Sequence, residues 1–301
     1  MAEVDLVKLF EQFSSEDKCH AFLEELRWPD GVECPRCGSK KISRIAARRQ
    51  FDCDGCRYQF SVRVGTLFHD SKLPLWKWFL AVYVMGESKK GVSANQLKRM
   101  LGVSYKTAWY LSHRIRDAMG DVEEKPLRGI IEADETWHGG KKRGRGMGPY
   151  NSGKKVIIGA VERGGEVRLR LAAGRDRGTL HRFIREVVDA DAEGIYTDDW
   201  VGYVGIADED TFHEVVNHAS KEWVRGDVHS NTIESVWSLF KRSVIGSYHQ
   251  VSVKHLPAYL DELEWRYNNR DNPFLFRDTL RRLTSSDALT YKALTARPAH
   301  P

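Results

Sequence analysis

No stretch of this sequence is apolar for long enough to cross a bilayer as a helix. The longest apolar runs are short and broken by charges. The first residues, MAEVDLVKLFEQF, lack the basic n-region and unbroken apolar core of a signal peptide, so none is predicted. Cysteine is scarce. There are five, an odd number, with four in two tight pairs and Cys19 apart, which argues against a secreted disulfide framework. The glycine-rich segment from Gly139 to Lys155 is not closed by a GK[ST] element, which excludes a P-loop.

What is present fits a globular protein of several modules. The chain has 301 residues, 41% apolar and 30% charged. Its net charge of +5 is unevenly placed: residues 1–30 carry −5, residues 31–128 carry +10, and the rest balance. A segment this basic points to a polyanion partner.

Residues 1–30 read as a helical lead-in, with Cys19 a buried small hydrophobe. Over 31–70, Cys34, Cys37, Cys53 and Cys56 form two C-x2-C pairs separated by fifteen residues. Four thiolates at this spacing close a tetrahedral site, so a zinc ribbon with one structural Zn²⁺ is expected. Gly38 and Gly55 allow the turns, and Arg44, Arg48, Arg49, Arg57 and Arg63 are placed for phosphate contacts. Over 71–125 the chain is helical. Leu73 to Met85 is an apolar helix, and Val92 to Met119 splits into two helices around Gly102-Val103-Ser104, with Ser93 placed to cap the first and Ser104 the second. Helix, short turn and helix in a basic region predict a helix-turn-helix, with Tyr105, Lys106, Trp109, His113 and Arg114 available for DNA. An ordinary helical hairpin would share the pattern.

After Pro126 the pattern changes. Strands are predicted at 129–134, 155–162, 166–172, 194–198 and 212–217, and helices at 179–190, 229–242 and 253–269. Three meandering strands, a helix, a strand and further helices predict a ribonuclease H-like mixed sheet with flanking helices over 126–275, followed by a C-terminal tail at 276–301. The whole chain is thus expected to be a multidomain α/β protein. Lys141, Lys142, Arg143 and Arg145 lie in the glycine-rich loop and are expected to grip DNA backbone, although a merely solvated loop would look the same.

Asp134 and Asp198 end apolar strands, and Glu234 sits beside the apolar stripe Ile233, Val236, Trp237, Phe240 and Val244, seven residues before Lys241. Unpaired carboxylates at buried strand ends are costly, so a cation is expected there. Three oxygen ligands suit Mg²⁺ or Mn²⁺, and two such ions about 4 Å apart serve in-line phosphoryl displacement. Glu135 and Asp199 compete for the same roles.

Three stretches, IEADETWHGG, YTDDWVGY and VHSNTIESVWSLFKRSVIGSYHQVSVKHLPAYLDELEWRYNNR, together with the paired cysteines, resemble the IS1595-type (ISXO2-like) DDE transposases of bacterial insertion sequences. The resemblance runs from Cys34 to about Arg270. It implies that Asp134, Asp198 and Glu234 form the metal-binding triad, with Lys241 as the accompanying basic residue. It further implies metal-dependent strand cleavage and transfer on double-stranded DNA, a homo-oligomer in the synaptic complex, and a cytoplasmic, nucleoid-associated location. Asn231, Tyr248, His249 and Arg266 become candidates to orient the acids, and Arg242 to touch DNA. A domesticated DNA-binding regulator, or a metal-dependent nuclease without joining activity, would carry much the same sequence.

Overall fold

A computed structural model describes residues 4–120, 124–139, 154–206, 212–216 and 228–296. The chain forms two compact units, one from Met1–Val122 with Asp271–Pro301, the other from Glu123–Arg270. None of the described helices is long and apolar enough to cross a membrane.

The first unit begins with helices α1 (Leu6–Gln12) and α2 (Glu16–Arg27), capped by the side chains of Asp5 and Ser15. A small antiparallel sheet follows, made of β1 (Ile42–Ile45), β2 (Gln50–Cys53) and β3 (Gln59–Phe60) in that order. Helix α3 (Leu75–Glu87) starts after Pro74, and its first N–H is accepted by the Glu16 carboxylate. Helices α4 (Ala94–Leu101) and α5 (Tyr105–Gly120) are separated by a turn in which Gly102 is left-handed, φ 59°. Ser93 and Ser104 cap them, as the sequence predicts.

Of the segment 276–301 expected as a tail, the described residues 276–296 do not behave as one. Leu275–Ser285 is an amphipathic helix, with Phe276, Leu280 and Leu283 buried. Phe276 joins Phe13, Phe22 and Phe79 in one aromatic cluster. The hydrophobic effect recruits this segment because α2 and α3 present aromatic surface that needs a third helix.

The second unit is built on a five-stranded sheet. Its strands are β4 (Ile130–His138), β5 (Lys155–Glu162), β6 (Val167–Ala172), β7 (Gly194–Asp198) and β8 (Phe212–Val216), in the order β6-β5-β4-β7-β8. β4, β5 and β6 form an antiparallel meander, while β4, β7 and β8 run parallel. Alternation along β5 decides the two faces. Val156, Ile158 and Ala160 pack with helix α6 (Arg177–Val187). Ile157 and Val161 pack with α7 (Asn231–Ser243) and α8 (Leu256–Asn268). The predicted stripe on α7 is the buried one: Ile233, Val236, Trp237 and Phe240 all face this second core, with Val244 packed against it.

Candidate active site

The pairing of β4 with β7 ends at Glu132 and Tyr196. Asp134 and Asp198 stand two residues further on, where these two parallel strands are no longer paired. A crevice outside the carboxyl ends of parallel strands is the usual place for a ligand in an open α/β sheet. Asp134, Glu135 and Asp198 each offer a carboxylate oxygen, all within 4.8 Å of one another. Sequence reasoning left Glu135 as a competitor, and the structure brings it into the cluster. Its side chain alternates toward the α6 face, where its Oε2 accepts from the buried Tyr203 hydroxyl at 3.1 Å. Glu234 is not in this cluster. It lines, with Asp134, Glu135, Lys241, Arg242 and Ile245, a cavity of about 430 Å³.

Burial pushes the Asp134 carboxyl up to about 7, and the charges of Glu135 and Asp198 push the same way. Glu135 is likewise raised to about 7, by burial first and then by Asp198. Two carboxyls raised by burial and by the neighbouring Asp198 charge make a site of the kind that a divalent cation would suit.

Asp134 is held by a second device. Its Oδ2 accepts from Trp237 Nε1 at 3.0 Å. The indole reaches it across Gly159, which pairs with Asp134 in the sheet. A Cβ at Gly159 would lie 2.7 Å from Trp237 Cη2 and 2.9 Å from Leu169 Cδ2. Gly159→Ala is therefore expected to cost about 1–3 kcal/mol through overpacking. Denaturant melts and a shift of indole fluorescence would show it; an unchanged midpoint and spectrum would mean the ring has room.

In the first unit the four cysteine sulfurs lie within 4.8 Å of one another, with Cys34–Cys56 at 3.7 Å and Cys37–Cys53 at 3.6 Å. A tetrahedron with Zn–S bonds of about 2.3 Å has edges of about 3.8 Å, so the group fits a structural zinc. The left-handed residues after each pair are Gly38 (φ 68°) and Arg57 (φ 58°). Gly55, expected to serve a turn, has no positive φ, and a Cβ there would meet Ser39 Oγ at 3.3 Å.

The ISXO2-like transposase domain matches residues 126–268, and the transposase zinc-ribbon domain matches residues 14–59. A protein of the transposable element ISH50 from Halobacterium salinarum is 31% identical over 272 residues, covering 84% of this chain and 91% of the relative. The chain belongs to the ISXO2-like (IS1595-type) transposase family. A solved structure, the simian T-cell lymphotropic virus intasome in complex with PP2A regulatory subunit B56 gamma, aligns over 69% of this chain and 73% of the matched chain, at 13% identity and a TM-score of 0.26.

For a member of this transposase family the residues expected on DNA divide sharply. Tyr105 and Lys106 are exposed on the first turn of α5, and Lys106 lies over the Tyr291 ring at 4.3 Å. Trp109 is half-buried against His113, itself buried. Arg114 is also buried. Its guanidinium packs over Trp78 and Tyr110 and donates to the His69 carbonyl, so it belongs to the core and not to a DNA surface. Arg114→Ala is expected to lower stability by about 2–3 kcal/mol through a cavity and an unpaired carbonyl. DNA affinity per folded molecule should not change, whereas Lys106→Ala should weaken binding and reduce the salt slope by about one. Salt-titrated gel shifts separate the two, and the opposite pattern would restore Arg114 to the DNA.

Three of the five ribbon arginines are engaged by acids of α2: Arg63 by Glu16 at 2.7 Å, Arg49 by Asp17 and Arg44 by Glu24. Arg242 is exposed at the cavity and bonds Ser238. Tyr248 and the buried Arg266 both engage Glu262, a packing role. Asn231 is exposed at the start of α7, and His249 (φ 60°) bonds the Ile245 carbonyl through Nδ1. Lys141, Lys142, Arg143 and Arg145 lie outside the described residues.

Proposed function

We propose that this chain cuts and joins DNA at the ends of an insertion sequence, using a ribonuclease H-like sheet. Asp134, Asp198 and Glu234 would hold two Mg²⁺ or Mn²⁺ ions. When bound, such ions would supply Lewis acidity for an attacking water or 3′-hydroxyl and for the leaving oxygen. The protein's own contribution is placement. β4 and β7 present two acids where their pairing ends, and α7 brings a third, Glu234, into the cavity that Asp134 lines. Lys241 and Arg242, on the following turns of α7, would contact phosphate oxygens and orient the strand. Glu135 would steady the cluster from the opposite face through Tyr203.

In the first unit, Cys34, Cys37, Cys53 and Cys56 would hold one Zn²⁺ as a structural site, with no open position for chemistry. The α4–α5 pair would act as a helix-turn-helix on double-stranded DNA, led by Tyr105 and Lys106. Pairing two ends calls for a homo-oligomer, and the setting would be the cytoplasm.

The observation that carries this reading is the acid cluster beyond the last β4–β7 pair, in a chain of a transposase family. Purified protein incubated with pre-cut end duplexes, target DNA and Mg²⁺ or Mn²⁺ is expected to yield joined products. Cleavage without joining would favour a nuclease, and binding without either would favour a regulator.

A further inference from the structure

We propose that Glu132 is the positioning residue of this acid site, a helix cap supplied by strand β4 that sets where Glu234 stands relative to Asp134. The proposal rests on the reading of the acids just given.

Ser230, at the N-cap of helix α7, makes no side-chain capping bond, and its hydroxyl donates to Glu234 Oε1 at 3.4 Å, while His229 Nδ1 accepts only from the first helical N–H, that of Asn231, at 3.4 Å. The N–H groups that an N-cap side chain would satisfy are those of the second and third helical residues. Here these are Thr232 and Ile233, and both donate to Glu132 Oε2, at 2.7 and 3.1 Å. The other oxygen, Oε1, accepts from Thr232 Oγ1 at 2.9 Å and from Arg163 Nε at 2.7 Å, and His229 Nδ1 lies 3.2 Å away. Glu132 is fully buried. Burying a carboxylate without partners is costly, and this set of donors, at the positive end of a helix dipole, supplies them. Arg163 also donates to the His229 carbonyl at 2.9 Å and stacks over Tyr196 of β7, so one network binds β4, β7 and the start of α7.

The placement is what matters. Glu132 and Asp134 are two residues apart and share one face of β4. α7 is tied to that face twice, by Thr232 and Ile233 at Glu132 and by Trp237 at Asp134. From 232 to 237 a helix rises about 7.5 Å, and two strand residues span about 6.7 Å. The ties are therefore commensurate, and together they fix both the axial position and the rotation of α7. Glu234 lies between them. A cap at position 230 would stabilise the helix end equally well without burying a charge. Only a cap from β4 couples the helix register to the strand that carries Asp134.

The test uses the full chain carrying Glu132→Gln, Glu234→Gln or both, with Thr232→Val and Thr232→Ser as milder variants. Joining of pre-cut ends, Mn²⁺ binding by calorimetry and thermal melts are measured. Glutamine keeps the shape but sets an NH₂ against donors. Joining by E132Q is expected to fall about 10- to 100-fold, with Mn²⁺ binding weakened in proportion. In Mn²⁺ affinity, where E234Q leaves a signal to lose, the double variant is expected to be no worse than E234Q alone, the sign that one residue acts through the other. T232V should show a smaller loss in the same direction and T232S none. If E132Q does not fold, the T232V and T232S pair carries the comparison. E132Q with a lower melting temperature but wild-type joining and Mn²⁺ affinity per folded molecule would overturn the proposal, as would E132Q and E234Q losses in Mn²⁺ affinity that multiply. Unmutated protein that neither joins nor binds Mn²⁺ would instead refute the acid-site reading, and this proposal with it.

Discussion

Asp198→Asn is expected to abolish strand transfer while leaving the binding of element ends intact. The loss should be at least about a thousandfold, roughly 4 kcal/mol of barrier. The substitution keeps the size of the side chain at the end of β7 and removes only its charge, which a divalent ion needs. Stability should move the other way. The Asp198 charge disfavours ionisation of both Asp134 and Glu135. Removing it relieves that repulsion, so D198N without metal should melt at or above the temperature of the unmutated protein. Glu234→Gln should lose joining to a similar degree with little change in stability, because Glu234 is exposed on its helix. Gel assays of joined product, gel shifts of end duplexes and metal-free melts give the three readouts. Joining at the unmutated rate by both variants would remove these acids from the chemistry.

Zinc removal should be the second large effect. The ribbon's own core is small: Cys34, Phe51, Cys53 and Phe60 are buried, with Trp28, Val32, Ile42 and Tyr58 against them. Two of those four buried residues are themselves candidate ligands, so loss of metal removes the centre of the core. Apparent zinc affinities in such sites amount to about 10–16 kcal/mol, more than a core of this size supplies. Cys53→Ser is therefore expected to lose zinc and unfold β1 to β3. Trp28 packs edge-on against Phe51 at 5.7 Å and against Phe60 at 5.9 Å, so its fluorescence reports the loss. Substitution, and not chelation, is the right tool, because a chelator would also strip the acid site. One zinc per chain by atomic spectroscopy is expected before the change and none after. A C53S protein that keeps its zinc and its protected ribbon amides would show that the thiolates do not hold the fold.

How far these features could be read in advance follows from the range of the interactions. The α7 stripe, the apolar run of β5 and the paired cysteines are local patterns, and the elements appear where those patterns place them. Ser93 and Ser104 were legible for the same reason, since a cap lies next to the helix it serves. Glu16 and Glu132 were not. Each caps a helix far along the chain, 59 and 100 residues away. As residues in a sequence they are an ordinary helix acid and an acid in an apolar strand. Glu135 was ambiguous because neighbouring strand residues point to opposite faces, and only the opening beyond Tyr196 lets both Asp134 and Glu135 reach Asp198. Arg114 misled for a simple reason: a basic residue on a helix in a basic segment suggests phosphate, and nothing nearby announces the two aromatic rings that enclose it. The α2 acids that engage ribbon arginines were visible as charge, but not as partners.

The closure of the first unit by Leu275–Ser285 bears on the order of events during synthesis. Glu123–Arg270 is, in topological terms, an insertion between α5 and the last helices of the unit that precedes it. Chains emerge amino-terminus first, and domains generally fold as they become complete. The second unit has all its strands once Arg270 is out, whereas the first still lacks the helix that covers Phe13, Phe22 and Phe79. The acids on β4, β7 and α7 thus assemble before the helices expected to hold DNA have finished packing. A polypeptide stopped short of Leu275 would carry a complete acid site in one unit and an open aromatic surface in the other, exposed to aggregation and proteolysis.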